Sequence, residues 1–193
     1  MAQLVIDKIF AENLGFTLGG AARDQVIGLF NREIPRDAGA KLNPLPFFGS
    51  RAKNRFKALW LGALQAMAVW AVVETLPEYS EDKLLRKTVF QMQKFVDEEA
   101  ARTLLAKLSE DEFAEYDRLR RTLTRTAAER KANAADISRT FLEALHASGG
   151  FTEKEADALT RHIVMARGLF VKLVDISVKE PNSYKRPGVP KKK

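Results

Sequence analysis

The sequence predicts an all-α protein, a bundle of six or seven helices followed by a disordered basic tail. Apolar residues recur at three- and four-residue spacing along most of the 193 residues, and no stretch alternates for long enough to predict a strand. The last 13 residues combine proline and lysine with few apolar side chains, a composition typical of disorder. We therefore expect an N-terminal part over 1–50, a main bundle over 51–180 and a tail over 181–193.

Two short helices are expected in the N-terminal part. The apolar spacing predicts one helix over 2–13 and a second over 21–34. Gly15 and the pair Gly19-Gly20 lie between them, and glycine is unfavourable inside a helix. We therefore expect the chain to leave helical conformation between the two segments.

An irregular apolar loop is expected next, over residues 35–50. Pro35 should end the second helix, since proline lacks the amide proton that a helix interior needs. The loop contains three prolines, and its large apolar residues favour packing onto the body or onto a protein partner. The candidate docking residues are Leu45, Phe47 and Phe48.

Five longer helices are expected in the main bundle. Ser109 with Glu112 and Thr152 with Glu155 have the spacing of capping boxes, and Asn133 is a further N-cap candidate. Proline and glycine punctuate the segments between the helices. The predicted helices are 51–76, 80–107, 109–131, 133–149 and 152–179.

The stretch 58–73 is the most apolar of the chain and has two interpretations. Its sixteen residues would span about 24 Å as a helix, short of the roughly 30 Å hydrocarbon core of a membrane. Basic residues precede it and acidic residues follow, which is the polarity of a membrane helix with a cytoplasmic N-terminus. A central core helix is the preferred interpretation, and a membrane-inserted or membrane-lying helix is the alternative.

The composition argues against catalysis and against bound metals or cofactors. There is no cysteine, which excludes disulfides, thiolate nucleophiles and zinc-finger sites. Glu143 and His146 form a single Glu-x-x-His unit, whereas a di-iron bundle uses two. The glycine-rich segment 15–20 lacks the lysine and hydroxyl residue of a phosphate-binding loop. We expect no enzymatic activity, no metal and no cofactor.

The formal net charge of +7 is concentrated in three basic clusters. They occupy 51–57, 118–131 and the tail, and clusters of this kind attract polyanions such as nucleic acid or anionic lipid. Candidate contacts to phosphate in the first and last clusters are Arg51, Lys53, Arg55, Lys57, Lys185 and Arg186.

The second cluster contains a one-sided row of arginines. Arg118, Arg121 and Arg125 recur at i, i+3 and i+7, opposite the apolar stripe of the predicted helix. A guanidinium group can bind two phosphate oxygens at once, and the hydroxyl of Thr122 adds an uncharged donor. Contacts of this type position a nucleic-acid backbone and do not read its bases. Arg120 belongs to the same cluster and is a further candidate.

The order of features resembles the small helical subunit of Cascade-type CRISPR surveillance complexes. The segments that carry the resemblance are Pro44-Leu-Pro-Phe-Phe-Gly49 before the basic start of the apolar helix, Leu119-Arg-Arg-Thr-Leu123, and Ala135-Asp136-Ile137 before the final helices. The resemblance implies an all-helical, non-catalytic subunit of a ribonucleoprotein complex, with a role in antiviral defence. It also implies that backbone contacts fall to Arg118, Arg120, Arg121 and Arg125.

The expected function is therefore that of a non-enzymatic, cytoplasmic subunit of a larger assembly. Its partners would be other protein subunits and the phosphate backbone of RNA or DNA, bound without base specificity. A membrane-associated protein, with 58–73 in the bilayer and basic clusters on anionic lipid, is one alternative. A scaffold that binds only proteins is another.

Overall fold

The fold is described from a computed structural model, in which residues 8–28, 30–40, 50–76, 82–146 and 150–179 are described. Within these residues the secondary structure is helical, without a strand, as expected. The predicted tail 181–193 and the apolar loop around 42–48 lie outside the described residues. The α-helices are α1 Lys8–Ile27, α2 Glu33–Asp37, α3 Ser50–Thr75, α4 Asp82–Ala101, α5 Glu110–Ala128, α6 Ala134–Leu145 and α7 Glu153–Lys179, with a 3-10 turn at Leu105–Lys107.

The apolar helix α3 lies at the centre of the bundle. It packs most extensively on α5 and α7, and it also contacts α1, α4 and α6. Residues 51–75 are long and apolar enough to cross a membrane, but 89% of an 18-residue apolar window within them is buried inside the protein. The core helices of soluble bundles have the same properties. Helix α3 is thus a core helix of the bundle.

Aromatic rings fix α3 against α6 near the N-terminal end of α3. The rings of Phe56 and Trp60 both contact the ring of Phe141 edge to face, at centroid distances of 5.5 and 5.6 Å. All three side chains are almost completely buried. Edge-to-face aromatic pairs add specificity to the general gain from burying apolar surface.

The predicted break at Gly15 and Gly19-Gly20 is wrong, because α1 runs through all three glycines. A Cβ on Gly15 would lie 2.6 Å from the carbonyl oxygen of Thr88, and one on Gly19 would lie 3.0 Å from that of Met92. The two glycines therefore let α4 approach the backbone of α1 more closely than a residue with a Cβ would allow. Close packing offsets the unfavourable helix propensity of glycine.

The short helix α2 is a second departure from the prediction. Pro35 lies inside α2 and does not end the preceding helix, although it was expected to. Proline is tolerated at this position because amide groups in the first turn of a helix have no hydrogen-bond partner within the helix. Both histidines fix this segment to the body. The Nε2 atom of His162 lies 2.9 Å from a carboxylate oxygen of Asp37, and that of His146 lies 2.8 Å from the carbonyl oxygen of Ala38.

The predicted caps of the last three helices are confirmed. The side chain of Ser109 accepts a hydrogen bond from the amide of Glu112 in a complete capping box, and Asn133 caps α6 through the amide of Asp136. Thr152 and Glu155 form the capping box of α7. These motifs are local in sequence, which is why the pattern alone identifies them.

Three predicted helix ends were too late. The fourth helix, α4, ends at Ala101 rather than 107, and a turn and the 3-10 segment follow it. Helix α6 ends at Leu145 rather than near 149. Helix α5 ends at Ala128 rather than 131, because Arg130 has a φ of +58° in a Schellman motif that the amide of Lys131 completes on the carbonyl of Thr126.

Candidate functional site

The arginine row lies on the solvent face of α5, as the spacing predicted. Arg118, Arg121, Thr122 and Arg125 are all exposed, while the apolar stripe of the same helix is buried against α3. The capping box fixes the start of α5, and the Schellman motif fixes its end. The row therefore sits on a helix held at both ends and along one face.

Two members of the row have no carboxylate partner among the described residues. Arg118 and Arg125 make no ion pair there, whereas the Nε of Arg121 lies 2.7 Å from a carboxylate oxygen of Asp117. Burial acts to raise the pKa of Asp117, but hydrogen bonds from Arg120 and Arg121 outweigh it and hold that pKa below the ordinary value. Asp117 thus stays ionised and offsets part of the charge of Arg121. Arg118 and Arg125 carry the uncompensated charge.

Arg120 does not belong to the exposed row, which corrects its assignment as a phosphate contact. Its side chain is only 10% exposed, and it pairs with Asp117 and lies 3.9 Å from Asp97. Its guanidinium group also lies over the ring of Tyr116. The helical period turns Arg120 toward the interface between α5 and α3, where a Cβ on Gly62 would lie 3.4 Å from the Cβ of Arg120. Its role is structural.

Arg55 also has a structural position, unlike the surface position expected from the basic cluster 51–57. Its guanidinium group donates two hydrogen bonds of 2.8 Å to the carboxylate of Glu115. It donates two more to the carbonyl oxygens of Ala144 and Leu145, at the end of α6. These carbonyls have no partner within their own helix, so Arg55 joins the end of α6 to α3 and α5.

Arg51 remains at the surface, although it is paired. Its side chain is 74% exposed, and its Nε donates a 2.8 Å hydrogen bond to Glu112. Partial burial acts to raise the pKa of Glu112, but hydrogen bonds from Ser109 and Arg51 hold that pKa below its ordinary value. Arg51 therefore has less charge to offer an external anion than the unpaired arginines of α5 have.

The lysines of the first cluster form a separate basic patch. Burial lowers the pKa of Lys57, and the nearby charges of Lys53 and Lys107 lower it further. The ammonium group of Lys57 lies 4.8 Å from the centre of the Phe30 ring. Sequence spacing does not identify Lys107 as part of this patch, because Lys107 follows Lys57 by fifty positions and only the turn after α4 brings it near.

Other predicted site residues lie outside the described residues. This applies to the tail contacts Lys185 and Arg186 and to the docking candidates Leu45, Phe47 and Phe48.

The isolated Glu-x-x-His unit is not a ligand set in the described structure. The ring of His146 is bound to the backbone of Ala38, and no group of three or more histidine, aspartate or glutamate side chains converges on a point in the described ranges. The arrangement that the structure brings together is instead a set of exposed cations on a rigid helix. Such a set binds anionic oxygen atoms through charge-assisted hydrogen bonds.

No protein-family model, curated protein or solved structure matches this chain.

Proposed function

We propose that this protein is a non-enzymatic subunit that binds the phosphate backbone of nucleic acid through the exposed arginines of α5. The observation that carries the proposal is the pairing state of Arg118 and Arg125. Both are exposed on one face of a helix, and neither has a carboxylate partner among the described residues. A cation without an internal partner is free to bind an external anion.

The spacing of the row fits a polyanion better than a single small anion. Arg118 and Arg125 are seven residues apart, which is about 10 Å along the helix axis. Two side chains with this separation can each contact a different phosphate of one strand without bending toward each other. Arg121 and the hydroxyl of Thr122 lie between them on the same exposed face.

The lysine patch supports the same proposal from a second place on the surface. Burial lowers the pKa of Lys57, and repulsion by the charges of Lys53 and Lys107 lowers it further. A bound polyanion would relieve that repulsion, so the patch favours the same class of ligand. Aromatic side chains do not alternate with the arginines of α5, and the contacts would therefore be to the backbone rather than to stacked bases.

The membrane alternative is less well supported by the packing. It requires α3 to expose its apolar residues to lipid, but α1 and α4 to α7 cover them. The core position of α3 therefore leaves the basic surface as the basis for function. In a complex, this surface would line a nucleic acid held by other subunits, as the resemblance to small Cascade subunits implies.

The proposal is tested with Arg118→Glu combined with Arg125→Glu. This pair changes fewer internal contacts than a pair that includes Arg121. A glutamate at position 121 would repel Asp117 and disturb the ion pair between Asp117 and Arg120. We expect affinity for a labelled single-stranded oligonucleotide to fall by about tenfold or more at moderate salt, with helicity unchanged.

A matched control changes the net charge by the same amount on other helices. Lys83 and Lys154 are exposed in the first turns of α4 and α7, where glutamate is favourable. Lys83→Glu combined with Lys154→Glu should change affinity by less than about threefold. Equal losses in both double variants would contradict a specific role for the arginine row. Binding to anionic vesicles without binding to the oligonucleotide would favour the membrane alternative.

A further inference from the structure

The outer face of α7 has charges that are arranged symmetrically about a glycine. Gly168 lies at the centre of this face, with Asp157 and Arg161 before it and Asp175 and Lys179 after it. The four charged residues lie eleven and seven positions to either side of Gly168. At 3.6 residues per turn, all four fall within about 20° of Gly168 around the helix.

None of these charged side chains has an ion-pair partner within the described structure. Asp157, Arg161, Asp175 and Lys179 make no ion pair with any described residue. Three of them are exposed and Asp175 is partly exposed. The face opposite to them carries the buried residues with which α7 packs on α3 and α6.

The glycine itself has no explanation within the described fold. A Cβ on Gly168 would meet nothing within 4 Å, and its φ is not in the left-handed region, so neither space nor backbone conformation requires glycine there. Glycine in the interior of a helix is less favourable than alanine. Gly15 and Gly19 of α1 offset that cost by close contact with α4. Gly168 has no such contact among the described residues.

Exposed apolar side chains flank the glycine on the same side of the helix. Val164 is 50% exposed, Met165 is 63% exposed and Ile176 is 44% exposed. They are three of the large apolar residues that the described surface leaves in contact with water. An exposed face that contains several large apolar side chains is typical of a surface that another protein surface covers.

We propose that two copies of this chain associate through α7, as an antiparallel helix pair related by a twofold axis at Gly168. In such a pair, a residue before Gly168 faces the residue that lies equally far after it on the other copy. Arg161 then faces Asp175 of the second copy, and Asp157 faces its Lys179. Every facing charge is of opposite sign, and each pair occurs twice.

The same symmetry places small and apolar groups at the crossing point. The absence of a side chain at Gly168 allows the two helix backbones to approach closely, as small residues do in other helix pairs. Met165 faces Val171 of the second copy, and Val164 faces the aliphatic part of its Lys172. A parallel pairing in register would instead bring like charges together, so the charge pattern selects the antiparallel arrangement.

The test uses two single charge reversals and their mixture. Arg161→Asp makes the face acidic at both positions, and Asp175→Arg makes it basic at both, so each homodimer acquires two repulsive contacts in place of two attractive ones. Sedimentation equilibrium of the nuclease-treated full chain should show a reversible dimer for the wild type. The dissociation constant of the dimer should be at least about tenfold higher for each single variant than for the wild type.

Mixing the two variants restores both attractive contacts in a heterodimer. We therefore expect the equimolar mixture, and also the double variant Arg161→Asp with Asp175→Arg, to associate as the wild type does. A general loss of structure could not produce this recovery, and circular dichroism of each variant checks the fold independently. A monomeric wild type at all concentrations, or a dimer that neither reversal weakens, would overturn the proposal.

Discussion

Gly15 contacts the backbone of Thr88 so closely that a Cβ on the glycine would lie 2.6 Å from the carbonyl oxygen of Thr88. In the same contact, the hydroxyl group of Thr88 donates a 3.1 Å hydrogen bond to the carbonyl oxygen of Ala11. Helices α1 and α4 are thus packed with their backbones close together, and a side-chain-to-backbone hydrogen bond joins them at the same place. This contact explains how a glycine-rich segment remains helical.

Gly15→Ala should destabilise the fold although alanine is the better helix former. Real Cβ atoms essentially never approach another heavy atom to within 3.0 Å, so α1 and α4 must move apart. Overpacking of this kind costs about 1–3 kcal/mol in the free energy of unfolding. Urea denaturation measures that change.

Gly20→Ala is the matched control for this prediction. A Cβ on Gly20 would lie 3.9 Å from the nearest side-chain atom, on Phe95, which is an ordinary contact distance. The gain in helix propensity should then make this variant neutral or more stable by up to about 1 kcal/mol. Equal stability of the two alanine variants would show that the close contact with Thr88 does not exist.

Arg55 and Arg51 should behave differently although both belong to one basic cluster. Arg55→Ala removes four hydrogen bonds and leaves Glu115 and the end of α6 without their partner, so the free energy of unfolding should fall by about 2–3 kcal/mol. Arg51→Ala removes a pair whose arginine is 74% exposed and should cost less than about 1 kcal/mol. Thermal and urea denaturation of the two variants would show the difference, and similar losses would contradict the structural role of Arg55.

The core position of α3 predicts a large effect of charge at Val69. This side chain is 2% exposed, so Val69→Glu would bury a carboxylate without a partner and should reduce the free energy of unfolding by about 3 kcal/mol or more. Ile9→Glu is the control, because Ile9 is 66% exposed on α1 and its replacement should change stability little. A Val69→Glu variant that is fully stable and has lost affinity for membranes would indicate that α3 contacts lipid.

The burial of Tyr116 predicts that the free energy of unfolding falls at alkaline pH. Burial raises its pKa from 10.0 to about 12, although Arg120 and the hydrogen bond from Gln65 act in the opposite direction. The unfolded chain ionises this tyrosine above about pH 10, whereas the folded protein keeps it neutral until about pH 12. The stabilising contribution is therefore complete below pH 10 and is lost between these two values.

The measurement compares wild type with Tyr116→Phe. Between about pH 9 and pH 11, the wild type should lose roughly 1 kcal/mol more of its free energy of unfolding than the phenylalanine variant does. A variant in which Tyr79 and Tyr184 are replaced by phenylalanine would allow the phenol of Tyr116 to be titrated directly by absorbance. Identical alkaline stability of wild type and Tyr116→Phe would contradict the burial of an un-ionised phenol.

The parts of the fold that the sequence predicts correctly are those with local causes. Capping boxes such as Ser109 with Glu112 involve four consecutive residues, and the amphipathic period of α5 identifies the exposed face of the arginine row. The sequence does not predict the helical conformation of Gly15, because the stabilising contact of Gly15 is with Thr88, more than seventy residues later. No local pattern reports such a contact.

The same distinction applies to the candidate site. Sequence spacing separates Arg118 and Arg125 from the apolar stripe, but the position of Arg120 at its edge is resolved only by the packing of α5 on α3. In the sequence, nothing distinguishes Arg55 from its exposed neighbours. Its structural position depends on the end of α6, which only the tertiary fold brings beside it. The lysine patch requires Lys107, which the tertiary fold alone brings to Lys57.

A salt series shows whether the unpaired arginines of α5 bind nucleic-acid phosphate. The affinity of the wild-type protein for a labelled single-stranded oligonucleotide should fall log-linearly with salt concentration, with a slope of about −0.7 for each phosphate neutralised. Arg118→Glu combined with Arg125→Glu should make that slope shallower by about 1.4. A wild-type affinity that does not depend on salt, or a slope that the double variant leaves unchanged, would contradict the claim.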